Sequence, residues 1–126
     1  MSLSLLKTGT HVLVSLRSAE IHEWDLEAKK LVKSYRGHSV GKYILRASYG
    51  GLSQSFVVSG SQDGRVYVWN RETTNLLAVL KGHTAPVNVI SWPSESPFMF
   101  ASASDDHTVR VYIFLLFASM IFNRWY

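Results

Sequence analysis

Two histidines carry the side chains best suited to chemistry in this sequence. His38 and His83 each follow a glycine, lie 45 residues apart, and are each followed downstream by a serine and an aspartate: Ser59 and Asp63 after the first, Ser102 and Asp106 after the second. An imidazole between a hydroxyl and a carboxylate can activate a nucleophile, and imidazoles with carboxylates can hold a metal ion. Recurrence at a fixed interval points elsewhere. A single active site or metal centre is built once, whereas a structural device is repeated with the unit it stabilises. Asp105-Asp106-His107 reads as a tight turn, where Asp and His tolerate left-handed backbone, and has no third ligand close in sequence. His22-Glu23 lacks the second histidine at helical spacing that a zinc protease uses, and falls on a predicted strand, where it reads as surface. No Gly-x-Ser-x-Gly elbow is present, Gly50-Gly51 lacks the rest of a phosphate loop, and the absence of cysteine removes thiolate metal sites and disulfides. No catalytic residue, no metal and no cofactor site is nominated, and the expectation is a protein that is not an enzyme.

The elements that must position these side chains follow from the same interval, because periods between about 20 and 50 residues mark repeat architectures. Gly37-His38 recurs as Gly82-His83, Trp24-Asp25 recurs as Trp69-Asn70 at the same spacing, and Ser59-Gly60-Ser61-Gln62-Asp63 aligns with Ser102-Ala103-Ser104-Asp105-Asp106. Between these markers, runs of branched and aromatic residues predict strands at Tyr43 to Ala47, Phe56 to Ser59, Arg65 to Trp69 and Leu76 to Leu80, then at Val87 to Trp92, Met99 to Ser102 and Thr108 to Tyr112. Turn residues separate them at Tyr49-Gly50-Gly51, Gln62-Asp63-Gly64, Arg71 to Asn75, Pro93 to Pro97 and Asp105-Asp106-His107. Four strands per period predict one antiparallel sheet per repeat. Upstream, Val12 to Leu16, Ile21 to Trp24 and Leu31 to Tyr35 predict three more strands, an incomplete sheet ahead of the first full one.

The Gly-His dipeptide, the Ser-x-Ser-x-Asp turn and the Trp-Asp ending, at this period, resemble WD repeats, which build β-propellers. The resemblance runs over roughly residues 9 to 112 and implies an all-β, partial WD-repeat β-propeller of about two and a half four-stranded antiparallel blades. Residues 1–36 would be an incomplete first blade, 37–81 a complete repeat, 82–112 a partial last repeat and 113–126 a divergent apolar tail. In WD repeats a hydrogen-bonded set locks each blade, so the resemblance assigns His38, Ser59, Asp63 and Trp69 to one complete set. His83, Ser102 and Asp106 form a second, partial set, in which Tyr112 replaces the tryptophan. In the first blade Val14 and Ser18 stand where the serine and aspartate should be. Such a set satisfies buried polar groups that would otherwise cost a few kcal/mol.

The stretches Ile21 to Leu26, Phe56 to Trp69, Val87 to Trp92 and Ala101 to Asp106, with the Tyr49-Gly50-Gly51 turn, resemble more narrowly the last blades of the WD-repeat subunit of the CTLH (GID-type) ubiquitin ligase. That resemblance implies a non-catalytic protein–protein interaction scaffold, a substrate-recruiting or assembly subunit in proteasome-dependent degradation. Its partners would be other proteins, CTLH-type ligase subunits among them, with further blades drawn from a longer chain. The helical LisH and CTLH segments of that family are missing from the sequence. The alternatives are a truncated splice or gene-model product without independent function, and a generic WD-repeat adaptor. A receptor for a cullin-based ligase is disfavoured, since Glu27 and Glu72 stand where such receptors carry arginine.

Composition sets the remaining bounds. With 126 residues, 47% of them hydrophobic, the chain has apolar material for one modest domain or part of one. The net charge of +4 gathers partly at Lys29, Lys30, Lys33 and Arg36, but Glu20, Glu23, Asp25 and Glu27 lie just upstream. A solvated outer strand accounts for that better than a phosphate-binding patch, so no nucleic acid is expected. The apolar run from Tyr112 to Tyr126 is shorter than the roughly 18 residues of a membrane span, and no membrane is expected either. It reads as an alternative chain end that overwrites the last strand, or else as a short helix or strand covering an exposed blade face. Without a basic n-region or cleavage site at the N-terminus, the expected location is cytoplasmic, nuclear or both.

Overall fold

The computed structural model describes residues 1–41, 45–115 and 118–125, and shows three four-stranded antiparallel sheets. The N-terminal sheet holds β1 (Ser2–Leu5), β2 (His11–Ser15), β3 (Glu20–Asp25) and β4 (Lys30–Arg36), in sequence order. The middle sheet holds β5 (Ala47–Gly50), β6 (Phe56–Gly60), β7 (Val66–Asn70) and β8 (Leu76–Leu80). The C-terminal sheet holds β9 (Val87–Ser91), β10 (Met99–Ser104), β11 (Val109–Leu115) and β12 (Ala118–Trp125). Among the described residues no helix is long and apolar enough to cross a membrane.

The middle sheet is covered on both faces, which is why β6 and β7 read as almost unbroken apolar runs. Val57, Tyr67 and Trp69 point one way, into a core shared with Leu13, Ile21 and Tyr35 of the N-terminal sheet. Val58, Val66 and Val68 point the other way, into a core shared with Val87, Ile90 and Trp92. There the rings of Phe56, Trp92, Phe100 and Tyr112 stack in series, with centroids 5.8, 4.7 and 4.9 Å apart. Gly60 lets the sheets come this close, because a Cβ there would collide with the Val87 carbonyl. The outer strands β4 and β8 are mostly exposed.

Three expectations need correction. The N-terminal sheet is not incomplete. Ser-Leu-Ser-Leu alternates at the strand period, and β1 pairs with β2 so that Leu3 opposes Val14 and Leu5 opposes Val12. The last repeat is not partial as a sheet either, since the apolar tail supplies β12, which pairs along β11 and extends the sheet at its edge. The described strands thus make three four-stranded sheets, in keeping with the expected all-β partial propeller. Third, the first strand of the middle sheet lies later than predicted. Residues 43 and 44 of the expected Tyr43 to Ala47 strand fall outside the described residues, Tyr49 and Gly50 belong to β5, and the turn is a short 3-10 element at Leu52–Gln54. The physical reason is burial: Ala47 and Tyr49, two apart, both enter the core beside Val57 and Trp69.

The repeat also shows in the irregularities. The pairing of third with fourth strand slips at Glu23/Trp24, at Val68/Trp69 and at Val111/Tyr112, the same place in each sheet. Glu23, Val68 and Val111 are thus equivalent positions.

Candidate functional site

The polar side chains fall into three groups. His83 leads the first. Its Nδ1 lies 2.9 Å from Asp106 Oδ2 and 3.1 Å from Thr108 Oγ1, and its Nε2 lies 2.7 Å from Ser102 Oγ. Asp106 also accepts the Thr84 backbone N–H at 3.0 Å and the Thr108 N–H at 2.9 Å. Burial works against the Asp106 charge, but the bonds from Thr108, Thr84 and His83 outweigh it and hold the carboxyl well below the usual range. Burial lowers the His83 pKa, with Asp106 opposing, so the ring is neutral near pH 7. The tautomer this network supports has Nδ1–H donating to Asp106 while Nε2 accepts the Ser102 hydroxyl.

That connectivity is the one a serine nucleophile uses. Its setting is wrong for catalysis, because Ser102 is only 1% exposed and no substrate carbonyl can reach its oxygen. Instead the set ties β10 and the β10–β11 turn to the segment that enters β9.

The equivalent residues around His38 are gathered but not joined. His38 is buried, with its ring edge-on to Trp69 at 5.3 Å and to Tyr67 at 6.3 Å. Its Nδ1 has no hydrogen-bond partner among the described residues. Asp63 turns its carboxylate to the Tyr67 hydroxyl at 2.7 Å and the Arg65 backbone N–H at 3.0 Å. Ser59 donates to the Gly60 carbonyl at 2.8 Å, and the Trp69 indole N–H donates to the Arg36 carbonyl at 2.8 Å, outside any shared network. The expected four-residue set therefore does not close here, with Asp63 bonded to Tyr67 in place of the ring. Burial lowers the His38 pKa, with only the charge of Asp63 opposing.

The third group was missed in the sequence. Glu23, read there as surface, is fully buried. Its Oε1 accepts the Tyr35 hydroxyl at 2.9 Å, and its Oε2 accepts the Tyr49 hydroxyl and Arg71 Nε, each at 2.9 Å. Arg71 lies over the Tyr49 ring, 5.3 Å from its centroid. Burial raises the cost of the Glu23 charge, yet the bonds from Arg71, Tyr35 and Tyr49 more than offset it and keep the carboxyl ionised. Glu23 and Tyr35 come from the N-terminal sheet, Tyr49 and Arg71 from the middle sheet, so the group clamps one sheet to the next. A signal existed, since the 45-residue repeat sets Glu23 opposite Val68, an acid at an apolar position.

His107, in the Asp105-Asp106-His107 turn, has φ 68°, the left-handed backbone that such turns need. Among the described residues no group of three His, Cys, Asp or Glu side chains could hold a metal ion.

Comparison with known proteins agrees with this architecture. The family described as WD domain, G-beta repeat, matches residues 29–70 and 74–112. Each match runs from the outer strand of one sheet through the third strand of the next, so the sequence repeat staples neighbouring sheets together. The chain is 46% identical over 112 residues to a WD repeat-containing protein WDS homolog of Arabidopsis thaliana, covering 88% of this chain and 21% of that protein. It is 39% identical over 111 residues to GID complex subunit 7 of Schizosaccharomyces pombe, covering 88% and 22%. To a WD repeat-containing protein 26 homolog of Drosophila melanogaster it is 38% identical over 112 residues, covering 89% and 18%. The chain spans about a fifth of the length of these curated relatives.

Proposed function

Since this chain belongs to the WD-repeat family, whose members are in general non-catalytic protein-interaction scaffolds, we propose that it serves as an interaction section of a GID/CTLH-type ubiquitin ligase, recruiting substrate or holding the assembly together. The observation that carries this reading is how the buried polar groups are used. His83 with Ser102 and Asp106, and Glu23 with Arg71, spend their hydrogen bonds on holding strands and sheets. What remains for function is the loop surface of a rigid frame, which is where scaffolds bind. Similarity to GID complex subunit 7 over most of the chain supports the choice of assembly. Cytoplasm and nucleus are the compartments we assign to it.

The test is affinity capture of the tagged chain from cells, with bound proteins identified by mass spectrometry. Enrichment of CTLH-type ligase subunits over a scrambled-loop control supports the proposal. Capture of other partners with no ligase subunit would leave a generic WD-repeat adaptor.

A further inference from the structure

The seam between the N-terminal and middle sheets opens to solvent in a cleft of about 330 Å³, lined by Lys33, Ser53, Ser55, Asn70, Arg71 and Glu72. Arg71 is held there from several sides. Its backbone N–H donates to the Ser55 carbonyl at 2.9 Å and its Nε to Glu23 at 2.9 Å, while its carbonyl accepts Lys33 Nζ at 2.8 Å and the Tyr35 hydroxyl at 3.1 Å. The two cations differ in how they are balanced. Arg71 has the Glu23 carboxylate, but Lys33, half-buried, has only a neutral carbonyl, and no carboxylate comes within ion-pair distance of it among the described residues.

We propose that this cleft binds a carboxylate side chain from an extended acidic peptide segment of a partner protein. The Lys33 ammonium supplies the missing charge complement, and the hydroxyls of Ser53 and Ser55, both exposed, together with the outward edge of the fixed guanidinium, supply hydrogen-bond donors. The volume fits one acidic side chain and its flanking backbone. Glu72 on the rim gives selectivity. One cation without an ion-pair partner, with the Glu72 carboxylate lining the same cleft, suits an isolated acid and repels a dense polyanion, which needs several phosphate contacts. This rests on the scaffold reading above, since it names the chemistry of a segment that the scaffold would hold.

The experiment titrates the purified chain into a fluorescent octapeptide centred on Asp-Glu, its Asn-Gln counterpart, and the acidic peptide in competition with a uridine oligonucleotide, reading anisotropy. The acidic peptide binds about tenfold more tightly than the amide one, Lys33→Gln removes most of that difference, and Glu72→Gln strengthens binding about threefold. Circular dichroism of each variant checks the fold, and the exposed Glu72 keeps the test sound if Lys33→Gln disturbs the seam. Equal binding of the two peptides, indifference to Glu72→Gln, or competition by the oligonucleotide as strong as by unlabelled peptide overturns the proposal. Loss of peptide selectivity with ligase capture intact would sink the cleft and spare the scaffold role, and the reverse pattern would do the opposite.

Discussion

Glu23 occupies the place in its sheet that Val68 holds in the next, so an ionised carboxylate sits where the repeat calls for a branched apolar side chain. Such a group survives burial only because three donors converge on it, and removing the charge leaves Arg71 half-buried without its partner. Glu23→Gln is expected to cost about 3 kcal/mol in urea unfolding, and an exposed acid changed in the same way, Glu27→Gln, is expected to cost close to nothing. The two repeat histidines are expected to behave differently from each other. His83→Phe strands Ser102 and Asp106 and costs about 2 kcal/mol, whereas His38→Phe removes a ring nitrogen without a partner among the described residues and costs much less. Both imidazoles are held neutral by burial, so below the ordinary histidine value of 6.5 the unfolded chain takes up protons that the folded chain refuses. Stability is therefore full above that value and falls as pH drops below it, and urea midpoints measured from pH 7.5 to 5 should decline less steeply in His38→Phe. A fluorophosphonate probe should leave Ser102 unlabelled in the native chain and in that variant, and labelling would contradict its structural role. The recurrence of His, Ser and Asp was legible from spacing alone. Whether each trio closes was not, since Asp63 bonds to Tyr67, a side chain outside the pattern, in place of His38.

At the scale of strands, alternation and turn residues marked most elements, and the misses have local causes. The β1 strand was overlooked because four residues of Ser-Leu alternation carry little signal until Val12 and Val14 are there to pair with them. The start of β5 was displaced because Gly50-Gly51 reads as a turn. Gly50 instead ends the strand, and a Cβ there would strike the Trp92 ring. The close approach of sheets at these glycines yields an element-level prediction. Gly60→Ala forces β6 away from the Val87 carbonyl and is expected to cost more than about 2 kcal/mol. Gly9→Ala provides the control in thermal unfolding. Its Cβ would meet nothing, so any loss there comes from its left-handed φ of 76° alone.

For the molecule as a whole, sheets built from a sequence repeat that starts on one sheet and ends on the next cannot move independently without breaking the repeat's own contacts. That coupling, with the Glu23–Arg71 clamp across one seam and the aromatic stack across the other, makes a stiff frame for loops. Fold class and repeat were readable in the residues because the markers recur at a fixed interval, even though the first unit keeps only Trp24 of them and the last replaces the tryptophan with Tyr112. The clefts between units were not, since they form from residues far apart in sequence, such as Lys33 and Arg71, that only sheet packing brings together. The claim that the frame exists to hold ligase components is tested most directly by surface plasmon resonance, with the purified chain passed over an immobilised GID/CTLH-type assembly and over an unrelated ligase. Saturable binding to the first alone is the predicted result, and a folded chain that binds neither, or both equally, would contradict it.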